Sequence, residues 1–357
     1  MKTSNLHSRF IVSSLLAGCA GLALTGGSTA QNAGPGALTL VTWGGAYATA
    51  SENAFLKPFA EATGATYTVV EAPGQFNARL QADSAAGNVA WDVADLAEPD
   101  ALALAEQGLL EPLSDALKAE LATLIGEDQF NDYGVSVAAY GSVIVCDMDA
   151  VQACPSNAAE FWDIENFPGR RTMYGDGWEY NTALALLADG VAKEDLFPLD
   201  LDRAYRKLDE IKPHVNVWWT SGDQAQQVLR DGEVEIGILF DGRAAKLKEQ
   251  GVNTRLNYGD TLISRDLFAL PKGGPNPAAA EAFLKFYARN VEKNAEFIEA
   301  MRYGVATAAS YALVDPEIIA GLASSPENAA QGVVFDGAWA ATNRPAGLAR
   351  WTEWLSR

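Results

Sequence analysis

The chain has 357 residues, of which 48% are hydrophobic and 20% are charged, a balance typical of a soluble globular protein with room for two domains. Its formal net charge of −20 argues against nucleic acid and anionic membrane surfaces as partners. Beyond the N-terminal segment, no stretch is long and apolar enough to span a bilayer.

Residues 1–30 have the pattern of an export signal. Lys2 and Arg9 precede an apolar run over Phe10–Leu24, and the small residues Ser28-Thr29-Ala30 form a cleavage site. A second interpretation stays open, because residues 16–19 resemble a lipoprotein processing box in which Cys19 carries the lipid. We therefore predict a signal peptide over residues 1–30 and a periplasmic protein, with a lipid anchor at Cys19 as the alternative.

The exported chain retains two cysteines, Cys146 and Cys154. An oxidising compartment permits a disulfide between them, and the short intervening loop is no obstacle. Two free thiols are the alternative, because geometry decides and the sequence does not show it.

The exported chain begins with alternating strands and helices. Strands are predicted at Leu38–Val41, Thr66–Val70 and Trp91–Ala97, with helices after each: one with a buried stripe of Phe55, Phe59 and Ala62 that stops at Gly64, one from Gln75 to Ala86, and one from Pro99 to Gly108. This alternation predicts a parallel sheet with helices on both faces.

A second α/β set follows a long apolar stretch, Val135–Val145, at which the chain leaves the first lobe. Its predicted elements are strands at Arg171–Tyr174, Asn216–Thr220 and Glu235–Phe240, and helices at Tyr180–Val191, Leu201–Ile211 and Ser221–Arg230. Thr261–Leu270 is predicted as the strand that returns to the first lobe, and Leu348, Trp351 and Leu355 mark a C-terminal helix.

The predicted fold class is α/β with two lobes: residues 31–140 plus 264–312, and residues 141–263 plus 313–357. Lobes joined by several crossings form a hinge with a ligand cleft between them.

The stretch Leu38–Tyr47 runs from an apolar strand into Trp43, two glycines and an aromatic residue. A strand that ends in this way before a helix presents backbone N–H groups and a flat ring to a small ligand. The alternative is a plain strand-to-helix turn with a core Trp43.

Several stretches together resemble the bacterial extracellular solute-binding proteins of ABC importers, in the branch that includes spermidine/putrescine-binding proteins. They are Thr42–Tyr47, Phe55–Gly64, Ala159–Arg171, Ala183–Val191, Phe197–Pro213, Trp218–Gly237 and Asp266–Asn276. The resemblance implies a two-lobe fold that closes on a ligand and passes it to ABC permease subunits in the inner membrane. It implies a monomer, no enzymatic activity, no cofactor and no metal.

The same resemblance implies a small organic cation, such as putrescine or spermidine, as the ligand. Carboxylates would bind its ammonium groups, and aromatic faces would contact its charge and alkyl chain. The candidate ligand-binding residues are Trp43, Gly45, Tyr47, Asp176, Trp178, Glu179, Trp219, Asp241, Asp266 and Tyr303. Trp219 lies nearest the carboxyl end of its strand, and Asp266 is an acid inside an apolar strand. Structural roles stay open for three of them: a helix cap for Asp176, a first helical turn for Glu179 and a hinge carboxylate for Asp266.

Two other interpretations remain. A zwitterion such as a betaine, an amino acid or an opine is supported by the Gly44–Gly45 amides and by Arg243, which would signal a zwitterionic or anionic ligand if it neutralised Asp241. A secreted hydrolase is the alternative from another class, but the exported chain has one histidine, His214, in a loop, and no nucleophile elbow or metal-ligand spacing. Ferric iron would need a cluster of tyrosines, and no adjacent tyrosine pair is present.

Overall fold

The computed structural model of the chain describes residues 36–357. The predicted signal peptide and the alternative lipid site at Cys19 lie outside these residues. None of the helices within residues 36–357 has both the length and the hydropathy needed to cross a membrane.

Residues 36–357 form ten strands and fifteen α-helices. The strands are β1 Ala37–Thr42, β2 Thr66–Glu71, β3 Val93–Ala97, β4 Leu110–Glu111, β5 Gly134–Asp147, β6 Arg171–Tyr174, β7 Val215–Trp219, β8 Ile236–Phe240, β9 Thr254–Pro271 and β10 Val333–Val334. The helices are α1 Ala46–Ser51, α2 Lys57–Thr63, α3 Phe76–Ala85, α4 Glu98–Glu106, α5 Asp115–Ile125, α6 Ala158–Trp162, α7 Trp178–Ala188, α8 Leu201–Ile211, α9 Gly222–Arg230, α10 Asp241–Glu249, α11 Pro277–Arg289, α12 Val291–Met301, α13 Pro316–Ala320, α14 Pro326–Ala329 and α15 Gly337–Ser356. A π-helical segment, Glu52–Leu56, joins α1 to α2.

The strands form one mixed sheet in the order β2-β1-β3-β9-β5-β8-β6-β7, with β4 and β10 paired to β9. Strands β1, β2 and β3 are mutually parallel and form the first half of the sheet. Strands β6, β7 and β8 are mutually parallel and form the second half. The long antiparallel strands β5 and β9 pair with each other and connect the two halves. This is the α/β class that we predicted, with the two crossings expected of a hinge.

Strand periodicity distributes the apolar side chains over both faces of the sheet. In β1, Leu40 packs in one hydrophobic cluster and Val41 in another, because successive strand side chains point to opposite faces. In β5, Ile144 and Val145 separate in the same way in the second half. Each half of the sheet therefore has its own core on each face.

The local signals predicted element ends with small errors. Gly64 ends α2 with φ of 74°, a left-handed conformation that suits glycine, and the Ser221 side chain caps α9 by accepting from Gln224 N. Helix α7 begins at Trp178, two residues before the predicted Tyr180. Its N-cap is Gly177, so the helix-cap alternative for Asp176 is wrong.

Cys146 and Cys154 form a disulfide with a Cα–Cα distance of 5.8 Å. The bridge joins the end of β5 to the loop that precedes α6. The disulfide prediction is confirmed, and the free-thiol alternative is wrong.

Candidate functional site

Aromatic side chains from both halves of the sheet meet around β5. Tyr140 on β5 has its ring centroid 5.0 Å from that of Phe240, at the end of β8, and 5.7 Å from that of Tyr303. Tyr303 lies 6.3 Å from Tyr47, and Tyr180 lies 5.7 Å from Phe240. We call these five residues the aromatic cluster. It lines the place where the two halves meet.

Two buried carboxylates, Asp95 and Asp266, face this cluster, and we call them the carboxylate pair. Tyr140 donates from its hydroxyl to Asp266 Oδ1 at 3.0 Å, and Thr42 donates to Asp95 Oδ2 at 2.8 Å. Burial raises the pKa of Asp95 to about 7. Burial, followed by the charge of Asp95, raises the pKa of Asp266 well above its ordinary value.

The end of β1 brings Trp43, Gly45 and Tyr47 to the same region. Trp43 packs edge-on against Phe76 at 4.9 Å, and its indole N–H lacks a hydrogen-bond partner among the described residues. The Trp43 side chain nevertheless lies close enough to Asp266 to lower the pKa of that carboxyl. Tyr47 is buried, and burial, followed by the charge of Asp95, raises the pKa of its hydroxyl.

Gly45 lies at a close approach between the β1–α1 turn and α9. Its φ is 66°, and a Cβ atom at this position would lie 2.9 Å from Asp223 Oδ2. The Gly45 N–H donates to Glu71 Oε2 at 3.0 Å, so this amide already binds a carboxylate oxygen of the protein. The crowding and the positive φ together explain the glycine.

Arg243 on α10 is the cationic side chain beside the aromatic cluster. Its Nη1 lies 2.9 Å from Asp223 Oδ1, and its side chain is 13% exposed, against 68% for Asp223. Its guanidinium also lowers the pKa of the Tyr303 hydroxyl, which burial raises. The idea that Arg243 neutralises Asp241 is therefore wrong, because Asp223 is its partner.

Asp241 binds backbone groups at the crossing between the halves. Its Oδ1 accepts from Gly141 N at 3.1 Å, and its Oδ2 accepts from Ala323 N at 2.8 Å. Burial raises the pKa of Asp241 to about 7, against the opposing effect of these hydrogen bonds. These two hydrogen bonds connect the start of α10 to β5 and to the loop after α13.

The candidate ligand residues Asp176, Trp178 and Glu179, at the start of α7, have different surroundings in the structure. Asp176 is exposed. Trp178 is buried against α15, with its ring centroid 5.9 Å from that of Trp339. Glu179 is buried, which raises its pKa to about 7, while Arg344 lowers it. Its Oε2 has no hydrogen-bond partner within the part of the chain that is described.

Trp219 is part of the core under the aromatic cluster. Its indole N–H donates to the Ile238 carbonyl at 3.0 Å, and its ring stacks on Tyr174 at 4.2 Å. The exposed fraction of its side chain is 2%. Its role as a ligand contact stays a prediction.

Sequence reasoning missed four members of this site: Asp95, Tyr140, Tyr180 and Phe240. A signal existed for Asp95, because it is a charged residue inside the apolar strand Val93–Ala97, as Asp266 is inside β9. The three aromatic residues lie in apolar segments that look like core.

Within residues 36–357, no group of three His, Cys, Asp or Glu side chains is arranged to hold a metal ion.

Comparison with known proteins decides the family. The family model described as bacterial extracellular solute-binding protein matches residues 54–330. The chain belongs to this family. It is the solute-binding protein of an ABC transporter and not an enzyme, so the hydrolase alternative is wrong.

Individual relatives agree with this assignment. The chain is 32% identical over 313 residues to the gamma-aminobutyric acid-binding protein of Pseudomonas aeruginosa, which covers 86% of this chain and 87% of that protein. A solved GABA receptor is 32% identical with a TM-score of 0.82, over 89% of this chain and 97% of that one. The binding protein AgtB from A. tumefaciens R10, in complex with agropinic acid, is 30% identical with a TM-score of 0.81, over 90% and 99%. The two-lobe periplasmic binding protein fold is thereby confirmed.

Proposed function

We propose that this protein captures a small zwitterion with one ammonium and one carboxylate group, similar in size to γ-aminobutyric acid (GABA), in the periplasm for import. One observation carries the proposal: groups of opposite charge act on the hydroxyl of Tyr303. Burial raises the pKa of that hydroxyl most; the Arg243 guanidinium lowers it, whereas Asp241 and then Asp266 raise it. A linear amino acid whose amine is at the end opposite its carboxylate has one charge at each end. These charges are complementary to those of Asp266 and Arg243.

The carboxylate pair is the part of the site that we propose binds the ammonium group of the ligand. Within residues 36–357, neither Asp95 nor Asp266 has an ion pair with a lysine or arginine. An ammonium group placed there would gain charge-assisted hydrogen bonds, each of about 1.5–3 kcal/mol. The neighbouring aromatic faces would add about 0.5–2 kcal/mol by cation–π attraction.

Arg243 is the side chain that we propose binds the carboxylate group of the ligand. It is largely buried, and its carboxylate partner Asp223 is mostly exposed. An exposed partner contributes little to an ion pair, so a ligand carboxylate can replace it at small cost. The planar guanidinium binds two carboxylate oxygens at once.

The relatives support the same ligand class. The names of two of them state that they bind GABA, and the third was solved with agropinic acid. Each of the three is at least 30% identical to this chain over most of its length.

The polyamine expectation has weaker support. A second ammonium group near Arg243 would need a free acid there, but Asp241 already accepts from two backbone N–H groups. Arg243 would also repel a cation at that end of the site. We therefore place the alternative ligand class, a zwitterion, ahead of putrescine and spermidine.

A thermal-shift experiment with three four-carbon ligands tests the proposal. GABA has both charges, putrescine has two ammonium groups, and butyrate has only the carboxylate. A ligand at about 100 times its Kd adds about 2.7 kcal/mol of stability. We expect GABA to raise the melting temperature at concentrations at which putrescine and butyrate do not. A larger shift with putrescine than with any zwitterion would overturn the proposal.

A further inference from the structure

The carboxylate pair is built into neighbouring strands. Strands β3 and β9 are antiparallel, with Asp95 opposite Phe268 and Asp266 opposite Ala97. The two acids are therefore diagonal neighbours on one face of the sheet, about 7–8 Å apart at their backbones. The exposed fraction is 0% for Asp95 and 4% for Asp266, so water screens neither charge effectively.

Polar atoms around the pair are left without partners. The Tyr47 hydroxyl approaches Asp95 and acts on its pKa, yet neither this hydroxyl nor Asp95 Oδ1 completes a hydrogen bond with any described residue. The same holds for the indole N–H of Trp43, beside Asp266. Unpaired buried polar atoms are costly, and a bound ligand satisfies them.

Among the described residues, the groups that bond to the pair or interact with its charges come from several elements packed around it. They are Thr42 on β1, Trp43 and Tyr47 at the β1–α1 turn, Asp100 on α4, Tyr140 on β5, Tyr180 on α7, Tyr287 on α11, and Tyr303 after α12. This set contains no cation. Arg243 acts on Tyr303 but forms its ion pair with Asp223. Ionisation of both carboxylates in such surroundings costs free energy, because each charge is buried and the two repel each other. One carboxyl therefore retains a proton.

We infer that the Asp95–Asp266 pair holds a proton in the ligand-free protein and releases it when the ammonium group of the ligand binds. The O–H bond of one carboxyl breaks, its proton passes to solvent, and the ligand ammonium keeps its own protons. Binding therefore exchanges one positive charge for another at this pair. The inference rests on the proposed function in one respect, because the ligand must carry an ammonium group.

The inference is consistent with the titration of the two groups. Burial raises the pKa of Asp95 to about 7, and burial followed by the charge of Asp95 raises the pKa of Asp266 well above its ordinary value. An ammonium group between them lowers both pKa values again, because an opposite charge favours the ionised carboxylate. The amine of an amino acid of this kind stays protonated across the same range, since an alkylammonium has a pKa of about 10.

Calorimetry in two buffers measures the exchange. GABA is titrated into the wild-type protein at pH 7 in phosphate and in Tris, which differ in ionisation enthalpy, and the difference in observed heat gives the protons released. We expect about half to one proton per GABA bound. The affinity should also increase from pH 6 to pH 8. Identical heats in both buffers, with GABA bound normally, would overturn the inference and leave the proposed function intact.

Two variants locate the proton. Asp95→Asn should change the number of protons released on GABA binding, because Asp95 is one of the two carboxyls that share the proton, and an unchanged number would overturn the inference. Glu179→Gln removes another buried carboxyl with a pKa of about 7, which Arg344 and Asp100 influence, and should leave the release unchanged. Loss of proton release in Glu179→Gln would assign the proton elsewhere and overturn the inference. If Asp95→Asn does not fold, the wild-type pH and buffer series decides alone. Failure of wild type to bind GABA or any other zwitterion would instead count against the proposed function.

Discussion

Arg344 on α15 donates to Asp100 on α4 across 2.7 Å, and this ion pair joins elements of different cores. Helix α4 buries Leu104 with the first half of the sheet, whereas α15 buries Trp351 with the second half. Asp100 also accepts from Asn77 at 2.8 Å, which fixes its carboxylate. The contact holds the halves together beside the carboxylate pair, because the charge of Asp100, after burial and Asp95, raises the pKa of Asp266.

Arg344→Gln is therefore expected to weaken ligand binding by loosening the contact between the two halves. A partly exposed ion pair of this kind contributes up to about 1 kcal/mol, so Kd should rise up to about fivefold by favouring the open state. Calorimetry measures the change. Arg350→Gln is the matched control, because Arg350 pairs with Asp202, 2.7 Å away within the second half. Equal effects of the two variants would argue against a role for Arg344 in closure.

Arg243→Gln is expected to lose the carboxylate partner of the ligand. GABA binding should weaken about 10- to 100-fold, which corresponds to the loss of a charge-assisted hydrogen bond of about 1.5–3 kcal/mol. Putrescine binding should stay equal or improve, because the variant removes a repulsive cation. Calorimetry with both ligands separates these effects, and a parallel loss for both would indicate damage to the fold.

Asp241 and Asp266 are expected to differ when each is changed. Asp241→Ala leaves the N–H groups of Gly141 and Ala323 without partners, so the free energy of unfolding should fall by about 2–4 kcal/mol. Asp266→Asn keeps the shape of the side chain but lacks the charge, so it should weaken GABA binding with a smaller loss of stability. Urea denaturation and calorimetry on both variants test this. The reverse pattern would exchange the structural and ligand roles assigned to these acids.

Loss of the Cys146–Cys154 disulfide is expected to lower stability but not affinity. The bridge closes a loop with a sequence separation of 8, for which chain entropy predicts about 2–3 kcal/mol. The double variant Cys146→Ser/Cys154→Ser should show this loss in urea, with an unchanged Kd for GABA. A change of affinity above a few-fold would mean that the bridge also shapes the site.

The unliganded protein is expected to lose stability as pH rises from about 4 to about 7. Asp95, Glu179 and Asp241 each have a pKa raised to about 7, so the folded state binds more protons than the unfolded chain in this range. This contribution is complete below the unfolded pKa of about 4 and disappears through pH 7. Melting curves at several pH values measure it, and Glu179→Gln should flatten the dependence. Stability that rises with pH in both proteins would contradict these shifts.

Much of the fold was predictable from the sequence, because long apolar stretches carry strong signals. The apolar stretch Val135–Val145 was recognised without a strand being assigned to it, and it coincides with β5, Gly134–Asp147. The start of β9 at Thr254 was missed, since residues 254–260 are mostly polar and become a strand by pairing with β5. Such pairing is a tertiary effect that local propensity does not contain.

The site was less predictable because it depends on contacts between distant residues. Asp266 was recognised as an acid within an apolar strand, and the same reasoning applies to Asp95 in β3. The partner of Arg243 could not be read from the sequence, because Asp223 lies on another helix, 20 residues away. Trp219 was chosen because it lies nearest the carboxyl end of its strand, and the burial of Trp178 and Trp219 was visible only once α15 and β8 were in place.

A structure of the protein with GABA would test the two-ended site most directly. We predict that the ligand ammonium lies about 3 Å from a carboxylate oxygen of Asp95 or Asp266, and the ligand carboxylate about 3 Å from the Arg243 guanidinium. The Arg243–Asp223 contact should then be open or shared with the ligand. A ligand bound elsewhere, or one whose carboxylate contacts neither Arg243 nor any other cation, would contradict the account.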